Sequence, residues 1–201
     1  MGTIANTLQE WASTDDAKVA LYASQPNKLL RWVNEAQLRF AKRSEVLRTV
    51  WSPSISSTGN IALPADFIRE IKGKVKLDPY IYLLELSYPD AVLLRLSGQY
   101  YYSIWNGSFY VWSAGACTPA VPYIKIPATV AFADIATADF EIPVIYHRTI
   151  FTFLDAMWLR EQKDVAGSIQ LMKLFDAEAD EAKVEFIRYN EPPPVTQSSF
   201  F

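Results

Sequence analysis

The run YYYSIWNGSFYVW at residues 100–112 constrains the fold more than any other stretch of this sequence. Seven of its thirteen residues are aromatic. Asn106-Gly107 lies between two β-rich halves, and this dipeptide favours a type I′ turn because both residues tolerate a positive φ. The sequence therefore predicts a β-hairpin in which Trp105 pairs with Ser108 across the turn.

Both faces of the predicted hairpin are apolar, because side chains alternate between the two faces along a strand. One face carries Tyr102, Ile104, Phe109 and Val111. The other carries Tyr101, Trp105, Tyr110 and Trp112. A soluble protein rarely leaves so much ring surface in water. We expect one face to lie against the domain core and the other against a neighbouring element or a neighbouring subunit.

Helical patterns flank the hairpin region on both sides. Short helical pieces are predicted within residues 3–23, and apolar spacing predicts a long helix from Pro26 to about Arg48. From Pro143 onward, two helices joined near Asp164 are expected to lie antiparallel. Between these regions we expect a short helix at about 88–96 and strands at about 60–63, 73–77, 100–105, 108–113, 122–126 and 128–133.

These patterns predict an α+β fold in which residues 1–201 form a single domain. A helical bundle at 3–50 and 143–188 combines the long N-terminal helix with the C-terminal αα-hairpin, and a β-rich region at 51–142 is inserted into it. The end of the chain contains three consecutive prolines, which favour an extended polyproline II conformation. We expect residues 189–201 to form an extended arm that is either disordered or docked on a partner.

The composition argues against several classes of function. The 201 residues carry 19 Lys and Arg against 22 Asp and Glu, so the chain is not a bulk polycation of the kind that binds nucleic acid. Cys117 is the only cysteine and His147 the only histidine, which excludes an internal disulfide and a histidine metal cluster. Because no apolar run reaches the roughly 18 residues of a membrane span and no secretory signal is recognised, we expect no membrane association.

No catalytic motif is recognised in the sequence. The glycine-rich phosphate loops, the nucleophile elbow and the zinc-protease motif are all absent. Carboxylate pairs such as Asp134 with Asp139 exist, but the acidic cluster at 176–185 lies on the polar side of an amphipathic helix, which is typical of a solvated face. We therefore expect no enzymatic activity, no metal and no cofactor.

Two surfaces are candidates for binding. The predicted helix 26–48 has a basic face that either lines a path for DNA or is an ordinary solvated face, and it carries Lys28, Arg31, Arg39 and Lys42. The hairpin and the C-terminal arm form a suspected interface of Tyr101, Trp105, Tyr110, Trp112, Pro192, Pro193, Pro194, Phe200 and Phe201. In the alternative interpretation, the chain is a ligand-binding module whose aromatic hairpin 100–112 stacks sugars or bases.

The order of these features resembles the head–tail adaptor family of tailed bacteriophages, the tail tubular protein A-like or gatekeeper proteins. The long early helix precedes a strand that ends in LPADF at residues 63–67. The segment LLELSYPDAVLLRL then looks like the stretch of the family in which a tyrosine introduces a short helix. The aromatic hairpin follows, and Ile142-Pro143 opens the terminal helix pair, so that the similarity spans about residues 26–188.

The resemblance implies a non-enzymatic structural protein of the virion neck or tail, made in the host cytoplasm. Such adaptors form homo-oligomeric rings, commonly of twelve copies, that join the portal to the tail and extend the DNA channel. The implied partners are further copies of the chain, the portal protein, a tail or nozzle protein and double-stranded DNA that passes without specific binding. A ring gives each subunit two different neighbour faces, which would cover the second face of the hairpin.

Overall fold

The structure, a computed structural model, describes residues 3–55, 59–77, 81–94, 100–112 and 115–190. These residues combine α-helices with two β-sheets, and the predicted α+β class is confirmed. They fall into two compact units. The helical unit takes its residues from 1–47 and 127–201, and the β unit takes its residues from 48–126.

The described residues form six α-helices and seven strands. The helices are α1 (Ile4–Ala12), α2 (Asp16–Ser24), α3 (Pro26–Ser44), α4 (Tyr88–Leu94), α5 (His147–Glu161) and α6 (Val165–Asn190). The strands are β1 (Arg48–Trp51), β2 (Gly59–Ala62), β3 (Phe67–Glu70), β4 (Leu84–Glu85), β5 (Tyr101–Trp105), β6 (Ser108–Trp112) and β7 (Val121–Lys125). Short 3-10 turns lie at Phe132–Asp134 and Val144–Tyr146. None of the helices in the described ranges is long and apolar enough to cross a bilayer.

Local chemistry explains where the first helices begin and end. The Asp15 carboxylate accepts a hydrogen bond from the N–H of Ala17 at 2.8 Å and so caps α2. Pro26 stands in the first turn of α3, where its missing N–H costs no hydrogen bond. The helix ends at Ser44, and the prediction that it reaches about Arg48 is wrong, because Glu45 takes a left-handed conformation with φ 56°.

The apolar core of the helical unit lies among α1, α3, α5 and α6, and the last three of these helices contact one another. Phe40, Phe153 and Phe175 are fully buried there, and the rings of Phe153 and Phe175 meet edge to face with centroids 5.2 Å apart. Fully burying one such ring contributes about 1.5–3 kcal/mol to the stability of the fold.

The β unit contains two small sheets. The first has three strands in the order β1-β7-β3, and the second has four in the order β2-β6-β5-β4. All neighbouring strands are antiparallel except β4 and β5, which pair in parallel. The core of the β unit comprises Ile55, Val75, Leu83, Tyr102, Phe109, Val111 and Val121.

Two predicted strands are wrong. Residues 73–77 contain only isolated bridges at Lys76, next to a turn in which Gly73 has φ 69°. Residues 128–133 are irregular and lead into a 3-10 turn. In that segment the Asn34 side chain accepts from the N–H of Val130 and donates to its carbonyl oxygen, both at 3.1 Å, and so replaces the strand partner that the backbone would otherwise need.

The remaining strand predictions agree with β2, β5, β6 and β7 to within about one residue. The predicted helix at 88–96 is α4, which ends at Leu94, and residues 95–99 lie outside the described ranges. Strands β1, β3 and β4 were not predicted. They contain only two to four residues, which is too short for a reliable alternating pattern.

Candidate functional site

The aromatic hairpin is formed by β5 and β6 in the predicted register. Trp105 lies opposite Ser108, and Ile104 lies opposite Phe109. Asn106 has φ 48° and Gly107 has φ 73°, the two positive values that the type I′ turn requires. The local turn chemistry therefore fixes which aromatic side chains share each face of the hairpin.

One face of the hairpin lies in the core of the β unit, as predicted. Tyr102, Phe109 and Val111 are almost completely buried, and the rings of Tyr102 and Phe109 stack with centroids 5.5 Å apart. Trp51 packs edge-on against Phe109 from the neighbouring sheet. This face carries part of the stability of the unit and is closed to ligands.

The other face is partly covered by α4. The hydroxyl of Tyr101 donates to the carbonyl oxygen of Ala91 in that helix at 3.3 Å, and Tyr101 is buried. Ser87 determines where the helix begins, because its Oγ accepts from the N–H of Asp90 at 3.3 Å and its hydroxyl also bonds to the Asp90 carboxylate. This cap holds Tyr88, the first residue of α4, over the hairpin.

Tyr88 joins three hairpin rings in a partly exposed cluster, which we call the aromatic shelf: Tyr88, Trp105, Tyr110 and Trp112. The rings of Tyr88 and Trp105 are nearly parallel, with centroids 5.9 Å apart, and the Tyr88 and Tyr110 centroids are 4.7 Å apart. Trp105 remains 53% exposed. Helix α4 therefore covers this face of the hairpin incompletely, and the Trp105 ring faces solvent beside three half-buried rings.

Beside the shelf lies a cavity of about 450 Å3, which we call the acidic groove. It is lined by Glu70, Glu85, Leu86, Ser87, Tyr88, Pro89, Ser103, Ile104 and Trp105. The Glu85 carboxylate has an ion pair with Lys72 at 3.5 Å, but the Lys72 side chain is 78% exposed. Such a long and solvated pair contributes little, so a better cation can replace Lys72.

The two carboxylates of the groove both raise the pKa of one buried hydroxyl, that of Tyr102. Burial raises the pKa of the Tyr102 phenol, and the negative charges of Glu85 and then Glu70 raise it further. Within the described part of the chain, the Tyr102 hydroxyl has no hydrogen-bond partner. The region therefore carries a negative potential that favours a cationic guest over an anionic one.

The predicted basic face of α3 is largely neutralised by ion pairs. Lys28 pairs with Glu161 at 2.6 Å, and Arg39 pairs with Asp176 at 2.9 Å. Arg31 is exposed. A shallow cavity of about 440 Å3 on this face is lined by Glu35, Leu38, Arg39, Lys42 and Arg43.

Arg43 extends this ionic contact along α6. Its guanidinium bonds to the Asp180 carboxylate at 2.7 Å and lies 3.2 Å from that of Asp176. The hydrogen bond to Asp180 raises the pKa of Arg43, and the same bond lowers the pKa of Asp180. These cations therefore connect α3 to α6 and are not available as a continuous phosphate-binding stripe.

The remaining titratable candidates have structural roles. Nε2 of His147 lies 2.9 Å from the carbonyl oxygen of Ile142, and its ring contacts Phe140, at the start of α5. Cys117 is half-buried in a segment that forms a backbone bridge to Ile55. The described residues contain no group of three or more side chains that could hold a metal ion.

Sequence reasoning found Tyr101, Trp105, Tyr110 and Trp112 but missed the residues that complete the site. Tyr88, Glu70 and Glu85 come from three other segments, and only the predicted short helix at 88–96 hinted that Tyr88 approaches the hairpin. The suspected arm residues Pro192, Pro193, Pro194, Phe200 and Phe201 lie outside the described residues.

A comparison with protein family models agrees with the resemblance to phage head–tail adaptors that the order of the sequence features indicates. The family model described as SU10 adaptor protein matches residues 1–198, which is nearly the whole chain. No curated protein sequence matches it. Because a family model that covers this much of the chain includes both units and the hairpin site, the match is not limited to one motif. The chain belongs to the SU10 adaptor protein family, a family of phage head–tail adaptors, and is accordingly a structural protein of the virion.

Proposed function

We propose that the chain is a subunit of a head–tail adaptor ring that joins the portal to the tail and forms part of the DNA channel. The observation that carries the proposal is the family match over residues 1–198. The partners would be further copies of the chain, in a ring of about twelve, together with the portal protein and a tail or nozzle protein. The whole chain would act as one adaptor domain, with its helices as a bundle and residues 189–201 as the arm.

The aromatic shelf supports assembly into a ring. A subunit in a closed ring meets its two neighbours through two different surfaces, so each copy must offer a surface that its own chain leaves uncovered. The shelf meets this need because Trp105 stays half exposed beside three further rings. Exposed aromatic residues are among the strongest contributors to protein interfaces.

The charge distribution supports passage of DNA without tight binding. The helical unit carries 12 Lys and Arg against 17 Asp and Glu, so it is acidic as a whole. Two of the four candidate channel cations, Lys28 and Arg39, are held in ion pairs with α5 and α6. A channel built from such a surface would let the duplex slide, because few counterions are released from its phosphates.

The test is to image the purified chain after mixing it with the portal ring, using negative-stain electron microscopy. The proposal expects an additional ring, coaxial with the portal, at one of its ends. Portal particles without added density at saturating concentrations of the chain would contradict the proposal.

The exposed tryptophan beside two carboxylates also favours a second candidate, a module that stacks sugars or bases. Trp105→Ala separates the two functions, with Phe132→Ala as a matched control because Phe132 is a half-exposed ring of the helical unit. A ring subunit would lose assembly with Trp105→Ala while its melting temperature changes little. A ligand-binding module would lose binding of oligosaccharides or uncharged nucleobases and keep its assembly state.

A further inference from the structure

We propose that the aromatic shelf and acidic groove of one copy receive residues 188–194 of a second copy. The Arg188 guanidinium would bind the carboxylates of Glu70 and Glu85, and the three prolines would lie on the rings of the shelf. The inference rests on the proposed ring function and deepens it, because it names the surfaces that join neighbouring subunits.

The shelf has the chemistry that recognises proline-rich segments. Consecutive prolines favour the polyproline II conformation before binding, so little entropy is lost when they dock. Grooves that bind such segments are lined by aromatic rings. Tyr88 and Trp105 offer nearly parallel rings with centroids 5.9 Å apart. In the sequence, Pro192, Pro193 and Pro194 are separated from the end of α6 by a single residue, Glu191.

The groove supplies the complementary charge. Glu70 and Glu85 both line it, and within the described ranges Glu85 has a long ion pair to the solvated Lys72. Arg188 is exposed in the last turn of α6. A guanidinium donates to carboxylates in paired, charge-assisted hydrogen bonds, which are stronger than those of a solvated lysine.

Arg188 and the three prolines are close enough in the sequence to bind the groove and the shelf as one short segment. Arg188 precedes Pro192 by only four residues. A cavity of about 450 Å3 lies within the 300–1,000 Å3 range of sites that hold small ligands, so it can admit one arginine side chain. The adjoining shelf then remains available for the proline rings.

A second copy is the occupant because this sequence supplies both halves of the contact: an exposed arginine close to three prolines, and two carboxylates beside the rings of the shelf. Arg188 belongs to the helical unit, and the residues that line the groove belong to the β unit. A contact between two different surfaces of identical subunits is heterologous, and it generates a ring when the rotation between neighbours closes. Each subunit would use one arm and one groove.

Charge reversal in the full-length chain tests the inference. Arg188→Glu and Glu85→Arg should each weaken association at least tenfold by sedimentation equilibrium, because each places two like charges together. The chain that carries both changes should recover most of the wild-type association. Lys173→Glu, an equal charge change at an exposed site of α6, is the control and should have no effect. Circular dichroism melting verifies that every variant is folded.

A peptide of residues 188–201 separates this inference from the ring proposal. Added to the full-length chain, it should compete with the arm, change tryptophan fluorescence, and lose this effect when it carries Arg188→Glu or when the chain carries Glu85→Arg. If rings form and neither the charge reversals nor the peptide affect them, the groove contact is wrong and the ring proposal stands. If the chain is monomeric and the peptide still binds in this charge-dependent way, the groove contact is supported without the ring. A monomer that ignores the peptide overturns the inference.

Discussion

At the scale of single residues, two consecutive positive φ values set the position of the hairpin turn. Asn106 and Gly107 adopt these values at 48° and 73°, and the dipeptide could be recognised in the sequence because few other residues tolerate them. The faces of Trp105 and Tyr110 follow from that turn, so this half of the candidate site was predictable. The positions of Tyr88, Glu70 and Glu85 in the site could not be predicted, because a local sequence pattern does not show which distant segments come together.

Gly107→Val should destabilise the chain by about 1–2 kcal/mol, which is the cost of a left-handed conformation for a residue with a side chain. No atom lies within 4 Å of a Cβ built at this position, so the effect is conformational and not a clash. Gly115→Ala is the control, because that site is equally open and does not have a positive φ. Urea unfolding measures both variants, and equal stability of the two would contradict the explanation.

Tyr123 should make the stability of the chain depend on alkaline pH. Burial raises the pKa of its phenol to about 12, and a 2.9 Å hydrogen bond to Asp66 contributes. In the unfolded chain the pKa is about 10, so unfolding releases a proton more readily as the pH rises. The stabilisation is therefore complete below pH 10 and is lost as the pH rises from about 10 through 12.

The variant Tyr123→Phe isolates this effect, because it keeps the ring and removes the ionisable group. Between pH 9 and 11.5, the free energy of unfolding should fall less steeply for the variant than for the wild-type chain. Parallel pH profiles of the two proteins would show that Tyr123 is not responsible.

At the scale of elements, a row of ion pairs joins α3 to α6. Arg39 and Arg43 both contact Asp176, and about two turns further along α6 Lys183 bonds to Glu45 at 2.6 Å. The contacts advance in the same direction along both helices, so α3 and α6 run parallel. The sequence predicted a basic face and an acidic helix, but it did not indicate that the two meet.

Asp176→Asn should lower the free energy of unfolding by about 1 kcal/mol, because two partly exposed arginines lose their shared partner. The loss should shrink in 1 M salt, where exposed charges are screened. Glu181→Gln removes one carboxylate from an exposed position of the same helix and serves as the control. A loss that is independent of salt, or equal in the two variants, would argue against the ionic contact.

Strands were predicted correctly where a local turn sequence determines them. They were predicted wrongly where contacts with distant residues determine the backbone conformation. The hairpin strands β5 and β6 follow from Asn106-Gly107 alone. Residues 128–133 have a strand-like composition, yet Asn34 of α3 binds both backbone groups of Val130. Likewise the apolar spacing of α3 continues to Leu47, but the left-handed Glu45 ends the helix first. Neither the Asn34 contact nor the left-handed conformation of Glu45 can be recognised from the local sequence pattern.

At the scale of the whole molecule, the charge of the helical unit should keep DNA from binding tightly. We expect the full-length chain to bind duplex DNA more weakly than the roughly 10−4 to 10−6 M of non-specific binders at physiological salt. Asp176→Asn with Asp180→Asn should strengthen binding, because the change releases Arg39 and Arg43 from their partners. Fluorescence anisotropy measures both proteins, and micromolar binding by the wild-type chain would contradict this account.

The number of copies in a ring could not be predicted from the sequence. It depends on the angle between neighbouring subunits, which small shifts at an interface alter, and no residue type encodes that angle. The sequence could only indicate that the aromatic surface of the hairpin needs a cover, and we propose that the shelf of Tyr88, Trp105, Tyr110 and Trp112 is covered by a neighbouring subunit.

The mass of the purified chain, alone and mixed with the portal ring, tests the ring proposal most directly. Multi-angle light scattering should give an integer multiple of 22.8 kDa, either for the chain alone or as mass added to the portal at a fixed ratio. A ring of twelve copies would have a mass of about 270 kDa. A mass of 22.8 kDa at all concentrations, with no mass added to the portal, would contradict the proposal that the chain is an adaptor ring subunit.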